Sequence, residues 1–299
     1  MRLATLGDVM LDVIVRLEEP LARGSDVRAA TRAGAGGQAA NVAAWAASLG
    51  ARARCIAKRG DDAAGELVAR ELEAHGVELV GPVAAGATGI VVSMVEDGER
   101  SMASDRGVAP TLAPDELEAA WLDCDVLHLS GYALLRQPIS AAALLAARLA
   151  RERGARISVD LAAWTEIRRF GPVRFRELLD ELAPDVLFAT EAEWELLGLA
   201  ASPARPATPG RKTGTPAASP GGAYLAAPVG VLKRGARGCT VLTEEARLDL
   251  APIGTTVVDT TGAGDALAAG FLLGGSLEEA ARRGLEAAAR CVARVGSLP

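Results

Sequence analysis

The sequence has few of the residues on which several classes of function depend. Only 3% of its 299 residues are aromatic and its net charge is −6, so it lacks the stacking side chains and basic patches of nucleic-acid-binding proteins. No apolar run approaches the ~20 residues that span a membrane. The N-terminus, MRLATLGDVMLD, reads directly as a strand rather than as a signal peptide. We therefore predict a cytoplasmic protein without nucleic-acid or membrane partners.

Metal ligands and nucleophilic pairs are also scarce. The two histidines, His75 and His128, are isolated from each other and from other ligand types. The cysteines are far apart, lie in apolar segments and form no C-x-x-C pair: Cys55, Cys124, Cys239 and Cys291. Neither a zinc site nor a Ser-His-Asp hydrolase is indicated, and the cysteines are predicted to be buried, reduced thiols.

What the sequence does contain is an alternation of short apolar strands and helices. Strands are predicted over 3–11, 51–59, 126–130, 156–160, 185–190, 229–235 and 239–243. Helices are predicted over 38–50, 65–76, 139–153, 173–182, 191–198, 264–274 and 277–294. This alternation indicates a mostly parallel sheet that is covered by helices on both faces, in one domain over 1–299.

Two regions interrupt the alternation. A hairpin is predicted over 88–102, with Asp97-Gly98 as its turn, and strand-like pieces lie near 12–17 and 26–32. These pieces could form a small antiparallel sheet that covers a site as a lid. Residues 200–223 are rich in Pro, Ala, Gly, Ser and Thr without periodicity, which predicts a flexible loop.

Two glycine-rich loops compete as phosphate sites. In the first, AGAGGQAAN (33–41), the spacing formally fits the dinucleotide fingerprint, but that fingerprint requires a strand directly before it, and the segment VRAATRA is polar. A dehydrogenase is therefore a weak alternative. Gly36 and Gly37 would still let the backbone approach a ligand closely, and the amide of Asn41 could bind hydroxyl groups.

The second loop lies in VVDTTGAGDALAAGF (257–271). Gly262 and Gly264 free the backbone to point its N–H groups one way, and the following helix adds its positive N-terminal dipole, so the loop suits an anion. No Gly-Lys dipeptide occurs, which excludes a Walker loop. A carboxylate beside an anion site, Asp265, is explained if it accepts a proton there. The pattern favours phosphoryl transfer to an alcohol.

Two segments, GAGGQAANVAAWAASLGA (34–51) and DTTGAGDALAAGF (259–271), resemble the two signature regions of the ribokinase-like (PfkB) carbohydrate kinases. Weaker matches between them extend the resemblance over nearly the whole chain: GDVMLD (7–12), GDDAAGE (60–66), HLSG (128–131), TEAEWELL (190–197) and LKRGARG (232–238). The resemblance implies a three-layer αβα sandwich with a small β-sheet lid over approximately 12–33 and 87–105. It also implies ATP and Mg²⁺, and transfer of the γ-phosphoryl group to a sugar hydroxyl.

Residue roles follow from the same resemblance, position by position. Asp265 resembles the catalytic base, and the anion hole would be formed by Gly262, Ala263 and Gly264. The sugar-binding positions would be Asp8, Asp12, Gly36, Gly37 and Asn41. Nucleotide would contact Lys233, Gly235, Gly238 and Thr190, and Glu193 would reach the metal through water. Many members hold a monovalent cation such as K⁺ where this chain has Asp259 and Thr261. Lids in this family can pair, so a homodimer through the lid is a further expectation.

The chain departs from the family pattern in ways that bear on substrate. Thr190 stands where many members have asparagine, which leaves open a sugar- or nucleotide-binding regulator with weak catalysis. GGQAANV replaces the GGKGANQ of ribokinases, while Ser130-Gly131 resembles the fructokinase and ketodeoxygluconate kinase branches. GDVMLD resembles heptose-phosphate kinases. A phosphosugar would need clustered cations, which Arg28, Arg32, Arg100 and Arg106 of the lid could supply; such arginines are more often solvated surface charges.

Overall fold

The computed structural model describes residues 1–21, 23–96, 99–199 and 226–299. Its largest element is a nine-stranded sheet in the order β15-β14-β13-β12-β11-β10-β1-β4-β6. The strands, in that order, are Arg247–Leu250, Cys239–Leu242, Val229–Lys233, Val186–Thr190, Arg156–Asp160, Val126–Ser130, Arg2–Leu6, Arg52–Ile56 and Val77–Val80. The seven strands from β13 to β6 are parallel, and β14 and β15 are antiparallel to their neighbours.

Helices cover both faces of this sheet, so its central strands are apolar on both sides. One face carries α1 (Gln38–Ser48), α2 (Ala63–Ala74), α7 (Ala263–Leu272) and α8 (Leu277–Val292). The other carries α3 (Ile139–Glu152), α4 (Trp164–Phe170), α5 (Pro172–Leu182) and α6 (Glu191–Leu196). Many of the helix residues that face the sheet are alanines, which lets the layers approach closely. The predicted three-layer αβα sandwich is confirmed.

A smaller, four-stranded sheet, which we call the small sheet, has the order β3-β2-β8-β9. Its strands are Met10–Leu17 (β2), Ala29–Gly36 (β3), Thr88–Glu96 (β8) and Glu99–Gly107 (β9). The strand β2 is antiparallel to β3 and parallel to β8, and β8 and β9 are antiparallel. A further two-stranded pairing joins β5 (Arg59–Gly60) to β7 (Val83–Ala84).

The structure corrects several predicted boundaries. The single strand predicted over 3–11 is wrong, because the chain leaves the central sheet after Leu6 and enters the small sheet at Met10. The crossing occurs at Gly7, where an added Cβ would lie 2.7 Å from that of Ser130. The strand predicted over 51–59 ends at Ile56. The Asp97-Gly98 turn and the loop 200–223 lie outside the described residues.

All four cysteines are buried free thiols, as predicted. No helix in the part of the chain that the structure describes has the length and apolar character needed to cross a membrane. A strand does precede the 34–39 loop, but it is β3 of the small sheet, antiparallel to its partner. The loop therefore does not follow a parallel strand of the central sheet, as the dinucleotide fingerprint requires.

Candidate active site

The carboxyl ends of the parallel strands gather polar side chains at one edge of the central sheet. The sheet order reverses direction between β1 and β10, and ligands of open α/β sheets bind at the carboxyl edge near such a switch point. Four polar residues end strands at this edge, and Asp8 lies two residues after the end of β1: Ser130, Asp160, Thr190 and Lys233 are the four. These residues are far apart in sequence, and the sheet topology alone brings them together.

The N-terminus of α7 faces the same edge. Gly262, its N-cap, adopts a left-handed conformation (φ 77°), and an added Cβ would lie 2.8 Å from Ser297. Ala263 donates its N–H to Thr260 O at 3.3 Å. The first intrahelical hydrogen bond runs from Ala266 N to Gly262 O, so the N–H groups of Gly264 and Asp265 lie before it. Donors at a helix start favour an anion. A Cβ on Gly264 would lie 3.2 Å from Lys233 Nζ, so an ammonium group stands beside the loop.

Asp265 lies in the first turn of α7, and its carboxylate accepts a hydrogen bond of 2.7 Å from Asn41 Nδ2 in α1. Burial raises the pKa of Asp265 to about 7; the Asn41 hydrogen bond and the Lys233 charge act against this rise, and the charges of Asp160 and Asp12 add to it. A carboxyl group with a pKa near neutrality suits a general base. Asn41 Oδ1 is buried without a hydrogen-bond partner among the described residues, so it can accept from a ligand.

Lys233, at the end of β13, forms a buried ion pair with Asp160, at the end of β11. Its Nζ lies 2.7 Å from both carboxylate oxygens, and Asp160 is fully buried. Burial acts to lower the pKa of Lys233, but the nearby charges of Asp160 and Glu193 outweigh it, and the pKa is raised. The lysine therefore stays charged next to the anion loop.

The predicted sugar-binding residues surround the other side of Asp265. A Cβ on Gly36 would lie 2.1 Å from Asp12 Cγ, and one on Gly37 (φ 94°) would lie 2.4 Å from Asp8 O. Only glycine permits this approach between β2, β3 and the start of α1. The Asp8 carboxylate is already engaged, because Arg106 Nε and Nη2 donate to its two oxygens at 2.6 and 2.8 Å.

The predicted nucleotide and metal positions lie around the same edge. Gly235 and Gly238 adopt positive φ in the turn after Lys233, and Gly238 leaves no room for a Cβ against Leu250 O. Thr190 and Glu193 form a capping box at the start of α6: Glu193 N donates to Thr190 Oγ1 at 3.3 Å, and Thr190 N donates to Glu193 Oε2 at 2.8 Å. In the described ranges no three His, Cys, Asp or Glu side chains are grouped to hold a metal.

Asp259 closes the loop that precedes α7. Its Oδ1 accepts from Thr261 N and Oγ1, at 2.9 and 2.6 Å, and its Oδ2 accepts from Gly296 N at 3.0 Å. Trp45 Nε1 of α1 donates to Ser297 O at 2.8 Å. The C-terminal residues thus pack against both the anion loop and α1. Nothing in the local sequence of 295–298 indicates this position.

Sequence reasoning also missed two polar partners at this edge. Ser130 Oγ donates to Gln38 Oε1 at 2.5 Å, linking β10 to the first residue of α1. Arg106, considered only as one of several lid arginines, is held in the site by Asp8 and stacks over the Tyr132 ring at 5.6 Å. The Ser130-Gly131 pair in the sequence indicated a role for Ser130. The position of Arg106 depends on its contact with Asp8, 98 residues away, which no local pattern indicates.

A half-buried carboxyl group in the first turn of a helix whose N-terminal N–H groups suit an anion, in a three-layer α/β fold, is the arrangement of a phosphotransferase acting on an alcohol. The comparison with protein families identifies the particular family: residues 1–299 match the pfkB family carbohydrate kinases, and the chain belongs to this family.

Individual relatives support the same assignment. The ATP-dependent ribose-1-phosphate kinase of Halopiger xanaduensis is 32% identical over 303 residues, covering 97% of this chain and 90% of the relative. Fructokinase-2 of Solanum habrochaites is 28% identical over 251 residues, covering 79% and 71%. Adenosine kinase from Sinorhizobium meliloti has a similar structure, with a TM-score of 0.83, 26% identity, and coverage of 100% and 95%. The relatives bear names of kinases that act on different acceptors.

Proposed function

We propose that this protein transfers the γ-phosphoryl group of ATP to a hydroxyl of a sugar or sugar derivative, with Asp265 as the general base. The observation that carries the proposal is the position of the Asp265 carboxyl group. It is half-buried in the first turn of α7, has a pKa of about 7, and directly follows the Gly262–Gly264 loop. The family membership supports the same reaction class.

In this mechanism the acceptor hydroxyl gives its proton to Asp265. The hydroxyl oxygen bonds to the γ-phosphorus while the bond from that phosphorus to the β,γ-bridging oxygen breaks, which releases ADP. Asn41 orients the carboxylate through its 2.7 Å hydrogen bond. The N–H groups of the α7 start and the Lys233 ammonium stabilise the charge that moves with the phosphoryl group.

The acceptor would lie between Asp265 and the small sheet. Asp12 and the unpartnered Asn41 Oδ1 are suited to accept hydrogen bonds from its hydroxyl groups, with Gly36 and Gly37 as bare backbone beneath it. The small sheet, over approximately 12–33 and 87–105, would act as a lid that excludes water and limits ATP hydrolysis. The relatives' names leave two acceptor types open, a free sugar and a sugar phosphate.

ATP fits the residues at this edge because the loop lacks side chains that would block phosphates. We propose that Lys233, Gly235, Gly238 and Thr190 contact the nucleotide. Since the capping box engages one Glu193 oxygen and no protein metal cluster occurs in the described residues, Mg²⁺ would be held mainly by phosphate oxygens, with Glu193 acting through water. Asp259 and Thr261 are the proposed position for a monovalent cation such as K⁺.

The test is ADP release from the purified protein with ATP, Mg²⁺ and a panel of sugars and sugar phosphates. Asp265→Asn keeps the shape of the side chain and an acceptor for Asn41, so acceptor binding should persist while kcat falls by ~10²–10⁴. Asp259→Asn is not a matched control, because the Asp259 carboxylate accepts hydrogen bonds from Thr261 and Gly296 that hold the loop in place. Asp115→Asn, in the exposed connection before β10, serves as the control instead.

Near-normal turnover by Asp265→Asn would reject the mechanism. Binding of sugar and ATP by the wild type without any ADP release would favour the alternative, a binding regulator on the same fold. The capped Thr190 hydroxyl is the observation behind that alternative.

A further inference from the structure

The small sheet has one arginine-bearing face. Side chains alternate between the faces of a strand, and directly paired residues share a face. The face that carries Asp12 therefore also carries further described residues of all four strands: Met10, Ile14 and Arg16 of β2, Ala30, Arg32, Gly34 and Gly36 of β3, Gly89, Val91, Ser93 and Val95 of β8, and Met102, Ser104 and Arg106 of β9. In the described strands, three arginines and one acid, Asp12, point to this face, and the Glu71 carboxylate of α2 lies against Gly34 on it.

This face lies over the candidate active site. Asp12 packs directly on Gly36, and its charge contributes to the raised pKa of Asp265. Three glycines lie on the same face, and side chains of other residues pack against them: Asp12 against Gly36, the Glu71 carboxylate of α2 against Gly34, and Met10 against Gly89. Arg32 is the diagonal neighbour of Asp12 across β2 and β3, a Cα separation of roughly 7–8 Å. A small cavity at this point is lined by Asp12, Arg32, Glu71 and residues 295–298, and the Glu71 carboxylate accepts a hydrogen bond from Ala35 N at 2.5 Å.

The three arginines differ in how their charges are balanced. Arg106 forms its ion pair with Asp8. In contrast, neither Arg16 nor Arg32 has an acidic group within 4.0 Å among the described residues. Arg32 Nη1 donates to a backbone carbonyl, Val295 O, at 3.0 Å, and Arg16 Nε is buried without a partner. Among the described residues these two guanidinium groups form no ion pair, so their N–H groups are suited to bind an anionic group of a ligand.

We propose that the acceptor is a phosphorylated sugar and that Arg32, supported by Arg16, binds the phosphate it already carries. This inference rests on the proposed function, because the hydroxyl at the other end of the acceptor must reach Asp265. The planar guanidinium fork of Arg32 matches phosphate oxygens, and Asp12 stands between the two ends of the acceptor to bind its hydroxyl groups. Arg32 and Arg16 are then specificity-determining residues that take no part in the proton transfer.

The experiment compares matched acceptors by ADP release: ribose with ribose 1-phosphate and ribose 5-phosphate, fructose with fructose 6-phosphate, and gluconate as a sugar acid. We expect kcat/KM for the best phosphosugar to exceed that of its parent sugar at least ~100-fold. Arg32→Gln should lower that kcat/KM by ~10–100-fold, mainly through KM, and leave activity on the parent sugar within about twofold. Arg16→Gln should act in the same direction.

Arg28→Gln is the matched control, because Arg28 precedes β3, is exposed and is only loosely paired with Glu18 and Glu19, at 3.8 and 3.9 Å. It should change neither activity. A second readout avoids chemistry altogether: each phosphosugar should raise the Tm of Asp265→Asn, and this shift should shrink when Arg32→Gln is added.

Three outcomes would overturn the inference while leaving the kinase proposal standing. The first is a free sugar or gluconate used as well as any phosphosugar. The second is an Arg32→Gln variant that loses activity equally on phosphosugar and parent sugar. The third is the absence of any Tm shift with the phosphosugars although a free sugar is phosphorylated. Failure of every acceptor, with no ADP release and no Tm shift, would reject the proposed function as well.

Discussion

The pH dependence of catalysis offers the sharpest test of Asp265, because the structure assigns opposite effects to two of its neighbours. As a base, Asp265 must be ionised, and its pKa is about 7. With both substrates well below saturation, kcat/KM reports the free enzyme, so it should fall about tenfold per pH unit below pH 7 and level off above it.

Asn41→Ala removes a hydrogen bond that favours the charged carboxylate. Hydrogen bonds to charged groups contribute about 1.5–3 kcal/mol, and one pKa unit corresponds to about 1.4 kcal/mol. The acidic limb of the profile of kcat/KM against pH should therefore move to higher pH by about 1–2 units. Asp12→Asn removes a negative charge that raises the same pKa, so its limb should move down by a smaller amount.

Both substitutions also remove a proposed sugar contact, which lowers kcat/KM at every pH and leaves the position of the limb unaffected. A phosphate on the acceptor titrates near pH 6, but it does so equally in all three proteins. The measurement is thus the displacement of the limb relative to wild type. Limbs that stay in place in both variants, or move in the same direction, would refute the assignment of the titrating group to Asp265.

Two further predictions concern stability. The pKa of Asp265 in the folded protein, about 7, lies above the ordinary value of an aspartate. The stability that the protonated carboxyl group contributes is therefore fully present below about pH 4 and is lost as the pH rises toward 7. The Tm of Asp265→Asn relative to that of the wild type should rise between pH 5 and pH 8, and an equal Tm difference at both pH values would contradict a raised pKa of Asp265. Lys233→Met leaves the Asp160 carboxylate buried without its counter-charge and should cost about 3–5 kcal/mol of unfolding free energy by urea denaturation, whereas Lys233→Met combined with Asp160→Leu should cost clearly less.

Local patterns in the sequence predicted the parts of the fold that depend on local rules. The glycine loop followed by an apolar helix placed Asp265 in the first turn of α7, and the alternation of strands and helices predicted the layered sheet. The break between Leu6 and Met10 was missed because both halves are equally apolar and strand-like. Only tertiary contacts, such as the approach of Gly7 to Ser130, direct the chain from one sheet into the other.

The site was predictable to the extent that its residues lie in the two glycine-rich segments. The contact between Asn41 and Asp265 joins those segments across 224 residues; the family resemblance implied a role for each residue but did not predict their hydrogen bond. The Asp160–Lys233 pair joins the ends of β11 and β13, which β12 separates, and the Asp8–Arg106 pair joins the residues before β2 to β9 of the small sheet. A charged residue at the end of a strand shows only that it reaches the carboxyl edge, and the strand order decides its partner.

The contacts of Asn41 and Lys233 explain how Asp265 can be ionised beside a loop that is suited to bind an anion. Burial raises the pKa of Asp265 and so favours its protonated form, and the charges of Asp160 and Asp12 act in the same direction. The Asn41 amide, from α1, and the Lys233 ammonium, from β13, oppose this, and Lys233 also compensates Asp160. Because α1 and β13 come from opposite ends of the chain, the pKa of the base depends on the assembled fold. The chemistry therefore requires the packing of the layers as well as the loop that carries the aspartate.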